Sequence, residues 1–385
     1  MIIIENNKQC TGCSACASVC PKNSIEMKRD EEGFLYPSVN SELCIECGLC
    51  EKVCPVLHFK TKKVSHGVAY ACLNTQESVR EKSSSGGVFT ALANYIIERG
   101  GAVFGVAFDD DFQVVHKCVE KIEDLDCLRG SKYVQSKIGD TYQQAKKYLQ
   151  ENRLVLFTGT PCQIGGLYAY LGRDYENLYT QDLICHGAPS PMVWDKYVAY
   201  RTSMENDAKP RKIAFRAKNE GWKRYSVSFV FDNNTEYRQT LDKDLYMNAF
   251  LQNLCLRPSC YQCAFKGLER ESDITLADFW GIQNVMPEMD DDKGTSLVIT
   301  QSEKGEKLFK EVAENLKSKQ VDLETAVKYN SAMIASCATP KNREKFLYEI
   351  NSGNFGKVIR KHSKVSLKQK IRRILGKIKR KLFRK

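Results

Sequence analysis

Cysteines at triplet spacing are the residues of this sequence most clearly equipped for chemistry. Cys10-x-x-Cys13-x-x-Cys16-x-x-x-Cys20-Pro21 returns 34 residues later as Cys44-x-x-Cys47-x-x-Cys50-x-x-x-Cys54-Pro55. A C-x2-C-x2-C loop wraps the backbone so that three sulfurs point inward, and a [4Fe–4S] cube then needs a fourth thiolate from elsewhere. In two-cluster modules the last Cys of each run serves the other run's cluster. The spacing therefore assigns Cys10, Cys13, Cys16 and Cys54 to one cluster and Cys44, Cys47, Cys50 and Cys20 to the other, with Pro21 and Pro55 closing each run in a fixed turn. A pair of zinc sites is the competing reading, but zinc favours two C-x2-C pairs parted by a longer loop.

Four further cysteines stand in suggestive places: Cys162 after Thr158-Gly159-Thr160-Pro161, Cys185 in Ile184-Cys185-His186-Gly187, and the pair Cys260-x-x-Cys263. Cys162 and Cys185 each follow an expected strand, where α/β proteins place ligands. Together the four could bind a third cube; equally, the first two could be small buried residues and the pair a redox couple or half a zinc site. Cys255 lies five residues before Cys260 and could replace one of them, while Cys72 and Cys118 read as core packing.

Around these cysteines run recognisable motifs: SSSGGVFTAL (83–92), GSKYVQS (130–136), FTGTPCQI (157–164), DLICHGAPSP (182–191), RPSCYQCAFK (257–266) and SDITLADFWG (272–281). In this order they resemble the coenzyme F420 hydrogenase/dehydrogenase beta-subunit family, from about residue 67 to 300, and the 7-hydroxymethyl chlorophyll a reductases are similar too. Bacterial relatives of that family carry a two-cluster ferredoxin module in front, as here. The resemblance implies an iron–sulfur flavoprotein that holds FAD beside a [4Fe–4S] cluster and exchanges electrons with a deazaflavin or another organic partner. It also implies that Cys162, Cys185, Cys260 and Cys263 are the third cluster's ligands.

Ser83-Ser84-Ser85-Gly86-Gly87 precedes an expected helix, so Ser84, Ser85, Gly86 and Gly87 offer hydroxyls and open backbone N–H groups at the positive end of a helix dipole, which suits a pyrophosphate and so FAD. Plain N-capping is the alternative. In Gly130-Ser131-Lys132-Tyr133, Ser131 belongs to the same expected site, Lys132 could counter a phosphate and Tyr133 could lie near a flavin ring. His186 could donate a proton, bond a cluster sulfur or simply pack; Asp278 and Trp280 could border the cofactor. Asp290-Asp291-Asp292 reads as a solvated loop. No G-x-G-x-x-G follows a strand and no G-x-x-x-x-G-K-[ST] is present, which disfavours a dinucleotide fold and a P-loop.

The elements that must position these residues alternate between strand and helix. Strands are expected at 67–73, 102–108, 154–157, 178–184, 213–216, 225–231 and 296–300, and helices at 87–99, 303–318 and 341–350. The expected fold class is mixed, α+β and α/β: a small dicluster ferredoxin-like module (1–60), an α/β flavin and iron–sulfur region whose two halves, 61–150 and 151–345, resemble the family's N- and C-terminal domains, and a basic tail (346–385). Residues 60–63 read as a linker.

With 385 residues, 42% apolar and 27% charged, the composition is globular, and seventeen cysteines behind an opening Met1-Ile2-Ile3-Ile4-Glu5 with no export signal are expected to stay reduced in the cytoplasm. The net charge of +11 is carried entirely by residues 364–385, which hold eleven Lys/Arg and no Asp or Glu. There Leu367, Ile371, Ile374, Leu375, Ile378 and Leu382 form one helical stripe, suited to an anionic membrane surface at the inner face of the cell membrane. Packing on the protein's own body or non-specific nucleic-acid contact compete, and a specific nucleic-acid partner is not expected. The functional expectation is a cytoplasmic oxidoreductase fed by ferredoxin or another electron-transfer subunit. The alternatives are a non-catalytic relay subunit and, on the tail alone, a membrane-surface enzyme acting on a lipid-linked precursor.

Overall fold

The computed structural model describes residues 1–58 and 67–363; the expected linker at 60–63 and the cationic stripe at 364–385 lie outside them. In the first segment the stretch between the two cysteine runs forms a hairpin of β1 (Ile25–Arg29) and β2 (Leu35–Val39). The turn is fastened by Asp30, whose carboxylate accepts from the amides of Glu32 and Phe34 at 3.0 and 2.8 Å. The sequence repeat is also a backbone repeat. Gly12 and Ser14 of the first run have φ of 72° and 65°, and their counterparts Glu46 and Gly48 have 52° and 72°. Left-handed residues at matching positions turn each loop sharply into the short helices Ala15–Val19 and Leu49–Lys52.

From residue 68 onward the apolar stretches form a second unit: β3 (Val68–Asn74), β4 (Ala102–Phe108), β5 (Val114–Val119), β6 (Val155–Thr158), β7 (Leu178–Leu183), β8 (Pro210–Ala217), β9 (Ser226–Phe231), β10 (Glu236–Thr240), β11 (Ile274–Asp278), β12 (Ser296–Thr300) and β13 (Leu316–Val321). Eight of these make one mixed sheet in the order β13-β3-β12-β11-β7-β6-β4-β5. Its centre, β11-β7-β6-β4, is parallel, and the flanking pairs are antiparallel. This is the mixed α/β architecture expected behind a ferredoxin-like module.

Parallel strands bring their carboxyl ends to one edge, so the residues following β6, β7 and β11 face a common space. Helix Pro161–Leu171 leaves β6 through a capping box between Thr160 and Gln163. Helices pack on the sheet's faces; Leu92 and Ile96 of helix Val88–Glu98 are fully buried on one, and Tyr142 and Leu167 on the other. The antiparallel β10-β9-β8 sheet closes over the carboxyl edge with its own aromatic core of Trp194, Tyr197, Phe215, Phe229 and Tyr246.

One expected element is corrected. The helix assigned to 303–318 ends at Glu311, and Leu316–Val321 is instead an edge strand paired with β3. Lys317 and Lys319 are exposed on that strand, the usual protection of a sheet's open edge. Among the described residues no helix is long and apolar enough to cross a membrane.

Candidate functional site

The eight N-terminal cysteines lie in two adjoining neighbourhoods of the module. Cys20, Cys44, Cys47 and Cys50 line a single hollow at the outer end of the module. In the other, Cys16 is within electrostatic reach of Cys10, Cys54 and also Cys50 of the first, and Cys13 is within reach of Cys16 and Cys10. Burial pushes the Cys13 thiol up and that of Cys16 up to about 12. Sulfur acceptors are already bonded: the amides of Ile2 and Ser24 donate to Cys50 and Cys20, each at 3.3 Å.

The third set is brought together from three places. Cys162 opens helix Pro161–Leu171, Cys185 follows β7, and Cys260 and Cys263 flank the end of the 3-10 turn Pro258–Gln262. Cys162 interacts with Cys263 and Cys185, and Cys185 with Cys260 and Cys263. Burial pushes the Cys162, Cys185 and Cys260 thiols up to about 12. Such thiols ionise when a metal takes the proton's place. The Ala188 amide donates to Cys260 Sγ at 3.3 Å, and Thr160 Oγ1 lies 3.2 Å from Cys162 Sγ. Cys255 is fully buried in the aromatic core, against which Cys260 also packs. Among the described residues no group of three or more His, Cys, Asp or Glu side chains is arranged to hold a single metal ion.

Beside the third set opens a cavity of about 620 Å³ at the carboxyl edge of the parallel strands, and Cys162 and Cys185 form part of its wall. Ser84, Ser85, Gly87, Ser131, Lys132 and Tyr133 line it as expected, together with His186, Asp278 and Trp280. Gly86 does not. Its N–H bonds Ser296 Oγ at 2.9 Å, and a Cβ there would stand 2.3 Å from the Cys72 carbonyl, so its role is close packing under the loop. Ser84 Oγ accepts from the Ser131 amide at 2.7 Å, which joins the two sequence motifs. Lys132 Nζ donates to the carbonyls of Cys127 and Arg129, and burial lowers its ammonium to about 7. Tyr133 stacks on Phe250, with ring centroids 4.9 Å apart. His186 meets Asn253 Oδ1 at 2.6 Å, and burial holds it below its ordinary value.

Residues 69–141 match the family model for the N-terminal part of the coenzyme F420 hydrogenase/dehydrogenase beta subunit, and 152–325 match the model for its C terminus. The chain belongs to that beta-subunit family. Residues 9–57 match the 4Fe-4S dicluster domain, so this member is an iron–sulfur electron-transfer protein of an oxidoreductase family. A solved chain from the F420-reducing [NiFe] hydrogenase complex of Methanosarcina barkeri is similar over 74% of this chain and 92% of its own, at 17% identity and a TM-score of 0.48. No curated protein matches.

In this F420 hydrogenase/dehydrogenase beta-type chain, several residues in or behind the cavity wall carried no sequence signal. Arg216 of β8 pairs with Asp278 at 2.7 Å and lies over the ring of Tyr225 at 3.9 Å. Trp222 stacks on Trp280 at 4.7 Å and donates to the Ser84 carbonyl. Lys218 donates to the carbonyls of Arg80, Ser85 and Lys293. The small sheet thus grips the serine loop from outside. The acidic run at 290–292, expected to be merely solvated, is exposed at Asp291 and Asp292 but engaged: Asp291 takes both terminal nitrogens of buried Arg80 at 2.8 Å.

Proposed function

We propose that this chain is an iron–sulfur flavoprotein oxidoreductase with three [4Fe–4S] clusters and FAD. The observation that carries this reading is that the wall of the cavity is built partly from Cys162 and Cys185. A cube held by Cys162, Cys185, Cys260 and Cys263 would therefore adjoin whatever the cavity binds. The volume is within the range of small-molecule sites, about 300 to 1,000 Å³. Its lining suits a flat ring with a phosphate arm: Trp280, Tyr225 and Tyr133 supply aromatic faces, while Ser84, Ser131, Lys132 and Arg216 supply hydroxyls and positive charge. When bound, flavin exchanges two electrons with an organic molecule and single electrons with iron–sulfur centres.

The chain's own residues prepare the site. Arg216, fixed by Asp278, keeps a positive charge inside the cavity. With its pKa near 7, Lys132 can hold or release a proton at Nζ under physiological conditions. At the far end, Cys47 is exposed and Leu43, Ile45 and Leu57 stand out to solvent, a surface fit for an electron-transfer partner.

Anaerobic reconstitution with iron, sulfide and FAD tests the reading by metal and flavin counting. About twelve iron atoms and one flavin per chain are expected, four per cube. About eight irons would remove the third site. Full iron with no retained flavin would favour instead a relay that passes electrons to another enzyme.

A further inference from the structure

Of the six buried arginines among the described residues, Arg80, Arg216, Arg270 and Arg343 each pair with a carboxylate, Asp291, Asp278, Asp182 and Glu32, and Arg201 lies over the rings of Tyr200 and Tyr237. Arg257 is fully buried and is treated differently. Its Nε donates to the Cys10 carbonyl at 2.7 Å, and its terminal nitrogens donate to Gln135 Oε1 and the Leu35 carbonyl, each at 3.0 Å. Its charge sits over the Tyr36 ring at 4.1 Å. These hydrogen-bond partners are neutral, and Asp30, a carboxylate in electrostatic reach of the guanidinium, already accepts from the amides of Glu32 and Phe34, so the buried charge is only partly compensated, which is costly.

The position of Arg257 supplies what is missing. Its backbone caps the 3-10 turn that carries Cys260, with the Cys260 amide donating to its carbonyl at 2.9 Å. Its side chain crosses to the loop of the first cysteine run, where a Cβ on Gly12 would come within 2.9 Å of the guanidinium. The two sets meet directly as well. Cys13 interacts with Cys162, and a Cβ on Gly166 would lie 2.9 Å from Cys13 Cβ. A cube with four thiolate ligands is anionic, so two of them flanking one guanidinium would balance it from both sides.

We propose that Arg257 is the shared counter-charge of the inner ferredoxin-type cluster, held by Cys10, Cys13, Cys16 and Cys54, and of the cluster held by Cys162, Cys185, Cys260 and Cys263. It raises the reduction potentials of both relative to the outer cluster, because a nearby fixed cation favours the more negative reduced state. This inference rests on the three-cluster reading above. Arg257 acts as a positioning residue: it touches the ligand loops, not the reacting molecule.

The test is a potentiometric titration followed by low-temperature electron paramagnetic resonance, after the wild-type iron count has established that three cubes are present. That count fails if the cluster reading fails, independently of Arg257. In Arg257→Met, both inner clusters should shift to more negative potential while the outer one, ligated by Cys20, Cys44, Cys47 and Cys50, stays in place. Arg257→Lys, which keeps the charge but loses the fork, should leave all three near the wild-type values. The module remains docked through Arg29–Asp195 and Arg343–Glu32. Unchanged potentials in iron-replete Arg257→Met, or an equal shift of all three clusters, would overturn the proposal. If Arg257→Met does not load iron, loading by Arg257→Lys but not Arg257→Gln supports the charge role, and any other pattern of loading in the two rejects it.

Discussion

At the scale of single residues, the cysteines were legible because ligand spacing is a local property of the chain. The partners that set their environment were not, since Arg216, Trp222 and Arg257 reach their sites only after distant segments pack. Cys185→Ser should lower iron by about four atoms per chain while the spectrum of the ferredoxin-type pair persists, because one cube loses a ligand. A loss from the N-terminal pair instead would mean that the third set is not separate. A second residue-scale expectation concerns His116, fully buried, with Nε2 3.2 Å from the Thr158 carbonyl. Burial lowers its pKa from 6.5 to about 4. The unfolded chain therefore takes up a proton on acidification before the folded one does. Stability should fall as pH drops from above 6.5 to about 4, by at most about 3 kcal/mol from this group. Denaturant titrations across that window should show a shallower slope in His116→Gln, and an unchanged slope would dismiss the assignment.

At the scale of elements, helix Pro161–Leu171 joins two sites: its first turn carries Cys162 and its face receives Cys13 at Gly166. Only a residue without a side chain fits there, since a Cβ would also come within 3.0 Å of the Tyr142 hydroxyl. Gly166→Val should cost about 1–3 kcal/mol by overpacking and should slow reduction of the inner cofactors from the module side. Wild-type denaturation midpoints and stopped-flow traces would refute this. The sequence exposed the strand before this helix and the turn that starts it, through a run of apolar residues ending in Thr-Gly-Thr-Pro. It hid β13, whose Leu-Lys-Ser-Lys-Gln-Val pattern continues the charged texture of the preceding helix. Pairing with β3, a tertiary event, decides its state. The hairpin β1-β2 was hidden because its polar strands carry little apolar alternation, although Asp30 fastens its turn.

At the scale of the whole molecule, the two units differ in what keeps them folded. The large sheet buries apolar side chains on both faces, whereas a core cluster of the module consists of Ile2 and Ile25 beside Cys16 and Cys50. A unit so small, with ligands for core, depends on its inorganic content. Removing iron with a chelator should therefore abolish amide-exchange protection in residues 1–58 while that of the central parallel strands survives. Equal loss in both units would contradict this division. The general plan, module in front and mixed layers behind, was readable from periodicity and repeat. The junction was not, because its contacts join residues more than a hundred positions apart.

The exposure of Cys47 at one extremity, against the burial of Cys13 and Cys16 inside, also sets an order of corrosion. In the proposed three-cluster protein, dioxygen arriving from solvent would meet the outermost cube before the interior ones, so brief aeration should bleach a third of the iron absorbance quickly and the remainder slowly. The partly bleached protein would keep its inner wiring while losing its external plug.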